Sequence, residues 1–156
     1  MKGHPKVLET LKTVLKSELT AINQSFLHAR MCSDWGYEGL GRRIRKDSIV
    51  QMVHAEKLID RILFLEGMPN LRDMFPLRIG KDVGKIHKND LALTSDTVNR
   101  ANEGVTIAVS SSDDASRELL ESILIAEEDH VDWIESQLQI IKDAGLGLYL
   151  AQQMRR

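Results

Sequence analysis

The sequence predicts an all-α protein: a four-helix bundle with one long crossover between its second and third helices and a short C-terminal fifth helix. Three observations carry this. Four long stretches repeat apolar residues every three or four positions, the period of a helix with one buried face. The break at about 67–81 is long while the other two are short. Antiparallel neighbours in a bundle need only a few connecting residues, whereas a parallel pair needs a crossover along its length. Leu, Ile, Ala, Glu, Lys and Arg abound, with only 3 prolines and 4% aromatics, which favours helix over sheet.

The first helix is expected from about Pro5 to Asp34. Proline suits a first helical position because its missing N–H has no partner there. Leu8, Leu11, Leu15, Glu18, Ile22, Ser25 and Ala29 form its seam, and Glu18 interrupts the apolar run. Gly36 to Gly41 is a break. The second helix is expected from about Gly41 to Glu66, with Ile44, Ser48, Gln51, Ala55, Leu58, Ile62 and Leu65 on one face. Gly67-Met68-Pro69-Asn70 ends it, and an irregular stretch with Pro76 and Gly80 runs to about Lys81. The third helix is expected from about Asp82 to Ser110, with Leu91, Thr94, Val98, Ala101, Val105 and Ala108 in register. The turn Ser111-Ser112-Asp113-Asp114 supplies an N-cap for the fourth helix, expected from about Asp114 to Ala144. Gly145 and Gly147 break that helix, and a tail helix from Leu148 to Met154 follows.

The 156 residues are enough for one domain with a single core, residues 1–156. The formal net charge of −2 gives no broad basic field for nucleic acid, and Arg155-Arg156 is too short to change that. The single cysteine, Cys32, rules out an intrachain disulfide framework and fits a reducing cytoplasm. Neither a signal peptide nor a membrane span is visible.

The chemistry concentrates in the fourth-helix seam. Leu120, Ile123, Glu127, His130, Ile134 and Ile141 share a face, so Glu-x-x-His (Glu127 and His130) sits among apolar residues. Buried ionisable groups are costly unless paired or bound to a metal. Gln51 and His54 on the second helix echo the motif, with an amide in place of the carboxylate. Each helix thus offers a polar seam position near mid-bundle: Glu18, Gln51 with His54, Thr94, and Glu127 with His130. Di-iron carboxylate bundles use one Glu from each of two helices and Glu-x-x-His from each of the other two. Four of those six groups stand here, and Gln51 and Thr94 replace the others. A seam Glu is more often half-exposed, and one Glu-x-x-His arises by chance. The joint pattern at matching depth on three helices favours an altered metal site.

The second helix also carries a second apolar stripe, Ile49, Met52, Ile59 and Leu63, off the internal seam. A helix apolar on two sides is expected to bury the second against a partner subunit, here in a two-fold contact.

Over essentially its full length the chain resembles the bacterioferritins, the haem-containing branch of the ferritins. The resemblance rests on Met1-Lys2-Gly3, Glu18-Leu19-Thr20-Ala21-Ile22-Asn23-Gln24, Phe26-Leu27-His28-Ala29-Arg30-Met31, Trp35-Gly36, Arg61-Ile62-Leu63-Phe64-Leu65-Glu66-Gly67, Asp90-Leu91-Ala92-Leu93 and Glu127-Glu128-Asp129-His130-Val131-Asp132-Trp133. It implies a ferritin-like fold and a hollow twenty-four-subunit shell of two-fold dimers that stores ferric mineral. It also implies haem b between subunit pairs, ligated by Met52 and lined by Leu19, Ile22, Asn23, Phe26 and Ile49. A second, ferroxidase-competent subunit and a small ferredoxin donor are partners the resemblance suggests.

The departures matter as much. The family has iron-holding glutamates where this chain has Gln51 and Thr94. Its inner-surface His and Asp are Lys46 and Val50, and two of its tyrosines are Ser25 and Leu58, while Trp133 is kept. The expected subunit therefore belongs to an iron-storage shell, binds haem b and supports electron transfer to the stored iron, with an incomplete ferroxidase centre of Glu18, His54, Glu127 and His130 and little or no ferroxidase activity alone. The competing readings are an active di-iron ferroxidase that tolerates Gln51 and Thr94, and a shell component with neither haem nor metal.

Overall fold

A computed structural model describes residues 1–155; Arg156, the second of the terminal arginines, lies outside the described residues. The chain forms α1 (Pro5–Asp34), α2 (Glu38–Phe64), α3 (Val83–Ser110), α4 (Asp114–Ala144) and a short α5 (Leu146–Gln153). This is the expected four-helix bundle with its crossover and tail helix. α1 packs on α2 and on α3, and α3 packs on α4, so the bundle is two antiparallel pairs joined by residues 65–82.

Local chemistry sets the helix ends. Pro5 occupies the first turn of α1, and His4 caps it by accepting from Lys6 N–H. Asp82 and Asp113 cap α3 and α4 by accepting from the amides of Lys85 and Ser116. α1 closes with Gly36 at φ 92°, its successor Tyr37 bonding back to the Cys32 carbonyl.

Three boundaries differ from the sequence reading. α2 begins at Glu38, so Gly41 lies inside it rather than opening it. That glycine is needed for packing: a Cβ there would collide with Ser33 and with the Ala29 carbonyl, so its absence lets α2 approach α1 closely. At the other end of α2 the left-handed residue is Glu66 (φ 65°), one position before the expected Gly67. The Met1 ammonium lies 3.0 Å from the Glu66 carboxylate, and Gly67 is small because Leu8 and Ile62 crowd it. The tail helix also starts two residues early, at Leu146.

The core has two parts. Leu11, Val14, Leu15, Leu58, Ile62, Leu120 and Ile123 fill one end. Cys32, Leu40, Ile44, Ile86 and Tyr149 fill the other, where α5 docks. All seven expected seam residues of α2 are buried. The α3 face is rotated from the expected one. Ile86, His87, Asp90, Leu93, Thr94, Thr97, Ala101, Gly104 and Ala108 are buried, while Leu91, Val98 and Val105 are only partly so. The cause is Asp90, whose carboxylate oxygen Oδ1 accepts from Gln24 Nε2 and lies beside His28 Nδ1, each at 2.9 Å.

The same α1 ladder fastens the crossover. Thr20 Oγ1, Gln24 Oε1 and His28 Nε2 accept from the backbone N–H of Phe75, Arg78 and Gly80, each at 2.9 Å. Because Gly80 N–H donates to Nε2, the His28 proton sits on Nδ1 and goes to Asp90. Truncating His28→Ala would orphan the Gly80 amide and one Asp90 bond. At about 1–3 kcal/mol per buried unsatisfied group, urea unfolding should show a loss of about 2–4 kcal/mol. A loss under about 0.5 kcal/mol would show that the crossover is held by other contacts.

Candidate metal centre

Glu18 (α1), His54 (α2) and Glu127 (α4) meet at the middle of the bundle. They lie on seams that their 3–4 spacing turns inward, and exposure is 0%, 8% and 4%. His54 Nδ1 is 3.0 Å from Glu18 Oε2 and 3.3 Å from Glu127 Oε1. One ligand atom from each of the three lies within 4.8 Å of the others. Ligands on one ion at about 2.1 Å are about 3.0 Å apart at a right angle and about 3.4 Å apart at the tetrahedral angle. The trio therefore has the spacing of neighbouring ligands on a single small cation.

The other expected residues are placed less directly. His130 is nearby, its Nδ1 4.0 Å from Glu127 Oε2 and its Nε2 3.3 Å from Asp47 Oδ2. Gln51 is buried beside the trio, and its Oε1 has no hydrogen-bond partner among the described residues. Glu18 Oε1 is likewise unpartnered. Thr94 is buried, but its hydroxyl donates to the Asp90 carbonyl one turn back, at 2.7 Å. A cavity of about 260 Å³ lies between α2 and α4, lined by Asp47, Val50, Gln51, His54, Glu127 and His130 among others. Those two helices approach each other far less closely than the paired helices do, which leaves the space.

The electrostatics follow from burial. Burial pushes the Glu18 carboxyl well above the usual range, and the Glu127 charge adds to this against the pull of His54. Burial alone would depress His54, but its bonds to Glu127 and Glu18 prevail and raise it to about 9. Glu127 is held below the usual range because bonds to His54 and Glu18 and the charge of His130 outweigh burial. Burial also opposes the charge on His130, and Asp47 overcomes it, so that group is raised. Without metal, the surroundings thus favour the proton on Glu18 and on His54 and favour the ionised form of Glu127. Such a set can exchange protons for a divalent cation, since metal binding needs the deprotonated ligands.

Asp47 was not singled out in the sequence. The signal was its position one turn before Gln51 on the same face, masked by Arg43 four residues back, which makes it look like a solvated pair. The other missed group is His87, buried and lowered to about 4 by desolvation. It bonds Tyr149 Oη at 2.9 Å, and that hydroxyl donates to Gln137, fastening α5.

Outside the bundle, Met52 is 55% exposed, flanked by exposed Ile49, Phe26 and Leu63 and by half-buried Leu19, Ile22 and Ile59. Asn23, also on this face, spends its amide donors on the Leu19 carbonyl and on Met74 Sδ. The second stripe of α2 is therefore a bare apolar surface in the single chain.

Comparison with known proteins fits this geometry. Residues 8–144 match the family model described as Ferritin-like domain. The chain is 42% identical to "Bacterioferritin BfrA" of Mycobacterium tuberculosis over 156 residues, which is 100% of this chain and 98% of the relative. It is 43% identical to "Bacterioferritin" of Brucella melitensis over 145 residues, 93% of this chain and 90% of the relative. Similarity to "Bacterioferritin" of Mycobacterium leprae is 41% over 156 residues, with the same coverage as the first relative.

The charged His54 gives a pH signature. Its pKa is raised on folding from an ordinary 6.5 to about 9, so its stabilisation is fully present below pH 6.5 and is lost as pH rises through 9. In metal-free protein the stability gap between the unaltered chain and His54→Gln should be widest below pH 6.5 and narrow by pH 9 in thermal melts. A gap that widens with pH would mean the imidazole is neutral in the fold.

Proposed function

Since the chain belongs to the bacterioferritin family, a family of iron-storage proteins that self-assemble into shells, we propose that it is a haem-bearing storage subunit that has given up most of its own iron oxidation. The reading includes a cytoplasmic location, in keeping with the lone Cys32. Iron is the cargo, and a haem bound at Met52 would supply single-electron exchange with it.

The observation that carries the loss of oxidation is the buried trio. Among the described residues only Glu18, His54 and Glu127 converge, so two carboxylates are available there, the charge of one Fe2+. Gln51 offers a neutral amide oxygen. Thr94 is short, and its proton is committed to the Asp90 carbonyl. Two Fe2+ ions need carboxylates to bridge and neutralise them, because hard cations at close range repel unless anions lie between. The proposed centre holds one divalent ion on Glu18, His54 and Glu127, with His130 as a further ligand.

The outer face supports the haem. A group ligated through a soft thioether needs that sulfur free and surrounded by apolar atoms. Met52 meets both conditions, and the Asn23 amide is satisfied within its own chain. In a two-fold contact over this stripe, Met52 and its symmetry mate would hold one haem b, with Leu19, Ile22, Asn23, Phe26 and Ile49 as its surround. A haem held by thioethers would supply single-electron exchange rather than oxygen activation. A small ferredoxin is the proposed electron donor, and a ferroxidase-competent second subunit is the proposed source of oxidised iron.

Two measurements test this reading. In stopped-flow oxygen uptake, the assembled protein alone should oxidise Fe2+ at close to the uncatalysed rate. Gln51→Glu with Thr94→Glu should accelerate it by about tenfold or more, by restoring a two-metal site. Fast oxidation by the unaltered chain, with two ions at the centre in iron-soaked crystals, would instead identify an active ferroxidase. Separately, Met52→Leu, close in volume and equally apolar, should remove the haem absorption bands and leave the sedimentation of the shell unchanged. A full complement of six-coordinate haem in that variant would assign the ligand to another residue.

A further inference from the structure

We propose that Asp47 is the positioning residue for His130. It holds the imidazole with Nδ1 turned to Glu127, so that His130 can join Glu18, His54 and Glu127 on one divalent ion. The inference rests on the reading of that trio as a metal site and names a residue that site depends on.

The two nitrogens of His130 face different groups. Nε2 lies 3.3 Å from Asp47 Oδ2, and Nδ1 lies 4.0 Å from Glu127 Oε2. The second distance is too long for a hydrogen bond, yet two ligands of one ion at about 2.1 Å can span it at a wide angle. A carboxylate on the far nitrogen of a ligating histidine keeps the proton there and leaves the lone pair on the near one, and it fixes the ring plane. Asp47 stands where such a carboxylate would stand.

Asp47 is not an ordinary surface ion pair. Arg43 Nε donates to its Oδ1 at 3.1 Å, the usual i, i+4 contact. That leaves Oδ2, which is buried and has no aligned hydrogen bond from any described residue. His130 Nε2 faces that oxygen at 3.3 Å. The side chains of Asp47 and His130 are 12% and 13% exposed, so water competes little.

The pair is locked into a closed ring of contacts. The Arg43 guanidinium lies 4.0 Å over the Trp133 ring. Trp133 in turn stacks on His130, with ring centroids 6.3 Å apart and planes at 25°. Arg43, Asp47, His130 and Trp133 therefore each neighbour the next, with Asp47 at the edge of the imidazole and Trp133 against its face. Each member limits the motion of the next, which is how a supporting shell keeps a ligand in place.

The test uses Co2+ as both ligand and probe, on the assembled, metal-stripped protein. Asp47→Asn keeps the shape and removes the charge, and Asp47→Ala removes both. Each should weaken Co2+ binding by about 10- to 100-fold, the usual cost of losing such a partner. The visible Co2+ spectrum of each should shift toward that of His130→Ala, which a general loosening of the fold would not produce. In the His130→Ala background, Asp47→Ala should cost nothing further, because its route of action is gone. Equal Co2+ affinity in the unaltered chain and both Asp47 variants would overturn the positioning role alone. So would fully additive losses in the double variant. Absence of Co2+ binding by the unaltered chain would overturn the metal-site reading, and the proposal with it.

Discussion

The structure turns on the placement of two carboxylates and an imidazole in the interior of a helical bundle. Glu18 has no exposed surface at all, and Glu127 has almost none. Transferring such groups from water costs several kcal/mol each unless they find opposite charge. Without metal, His54 supplies that charge to Glu127 while burial favours the protonated form of Glu18, and on the proposed reading a bound divalent cation would supply it to both. The positions of three helices follow from this need. α1, α2 and α4 must each bring one residue to a common point, while the apolar residues a turn above and below seal it. The gap between α2 and α4 is the opening left on the side where the helices do not close.

A second polar node, around Asp90, holds the bundle in register about two to three turns further along α1. The crossover makes α2 and α3 parallel neighbours in sequence, and it runs along α1 to do so. Thr20, Gln24 and His28, spaced four apart, each accept one of its amides. Gln24 and His28 then reach across to Asp90 on α3. The backbone carbonyl of Asp90 also takes the Thr94 hydroxyl, so the residue that ties α3 to α1 also turns Thr94 away from the metal ligands. A glutamate at 94 would have no such tie and a longer reach. On the proposed reading, the difference between one ion and two is partly a matter of side-chain length and partly of this local hydrogen bond.

Much of the architecture was legible in the sequence because helical period and breaker residues act locally. The α2 seam was read in full, since its members other than Gln51 are apolar or small and keep the helical period. The α3 face was not, because Asp90 and His87 are buried polar residues whose partners are distant in sequence, and apolarity pointed to Leu91 instead. Gly41 read as a helix start, when its role is to let α1 approach, a fact that only packing reveals. Of the centre, Glu18, His54, Glu127 and His130 stood out because charge in an apolar seam is anomalous. Asp47 did not, because a carboxylate four residues from an arginine is unremarkable until its other oxygen is seen to be buried.

The two faces of α2 carry separable chemistry. Gln51 and His54 point inward to the trio, while Met52 and Ile49 point out to bare apolar surface. Adjacent positions on a helix are turned about 100° from each other, so residues 51 and 52 face different environments. Replacing a carboxylate by an amide at 51 changes the charge balance inside and leaves the outer stripe untouched. On the proposed reading, that is why oxidation can decay while haem binding persists. The first depends on the sum of charges around a buried point, which two substitutions upset. The second depends on one exposed sulfur and an apolar surround, which neither substitution reaches. A subunit altered in this way would keep its place in the shell and its electron exchange, and it would leave oxidation to another chain.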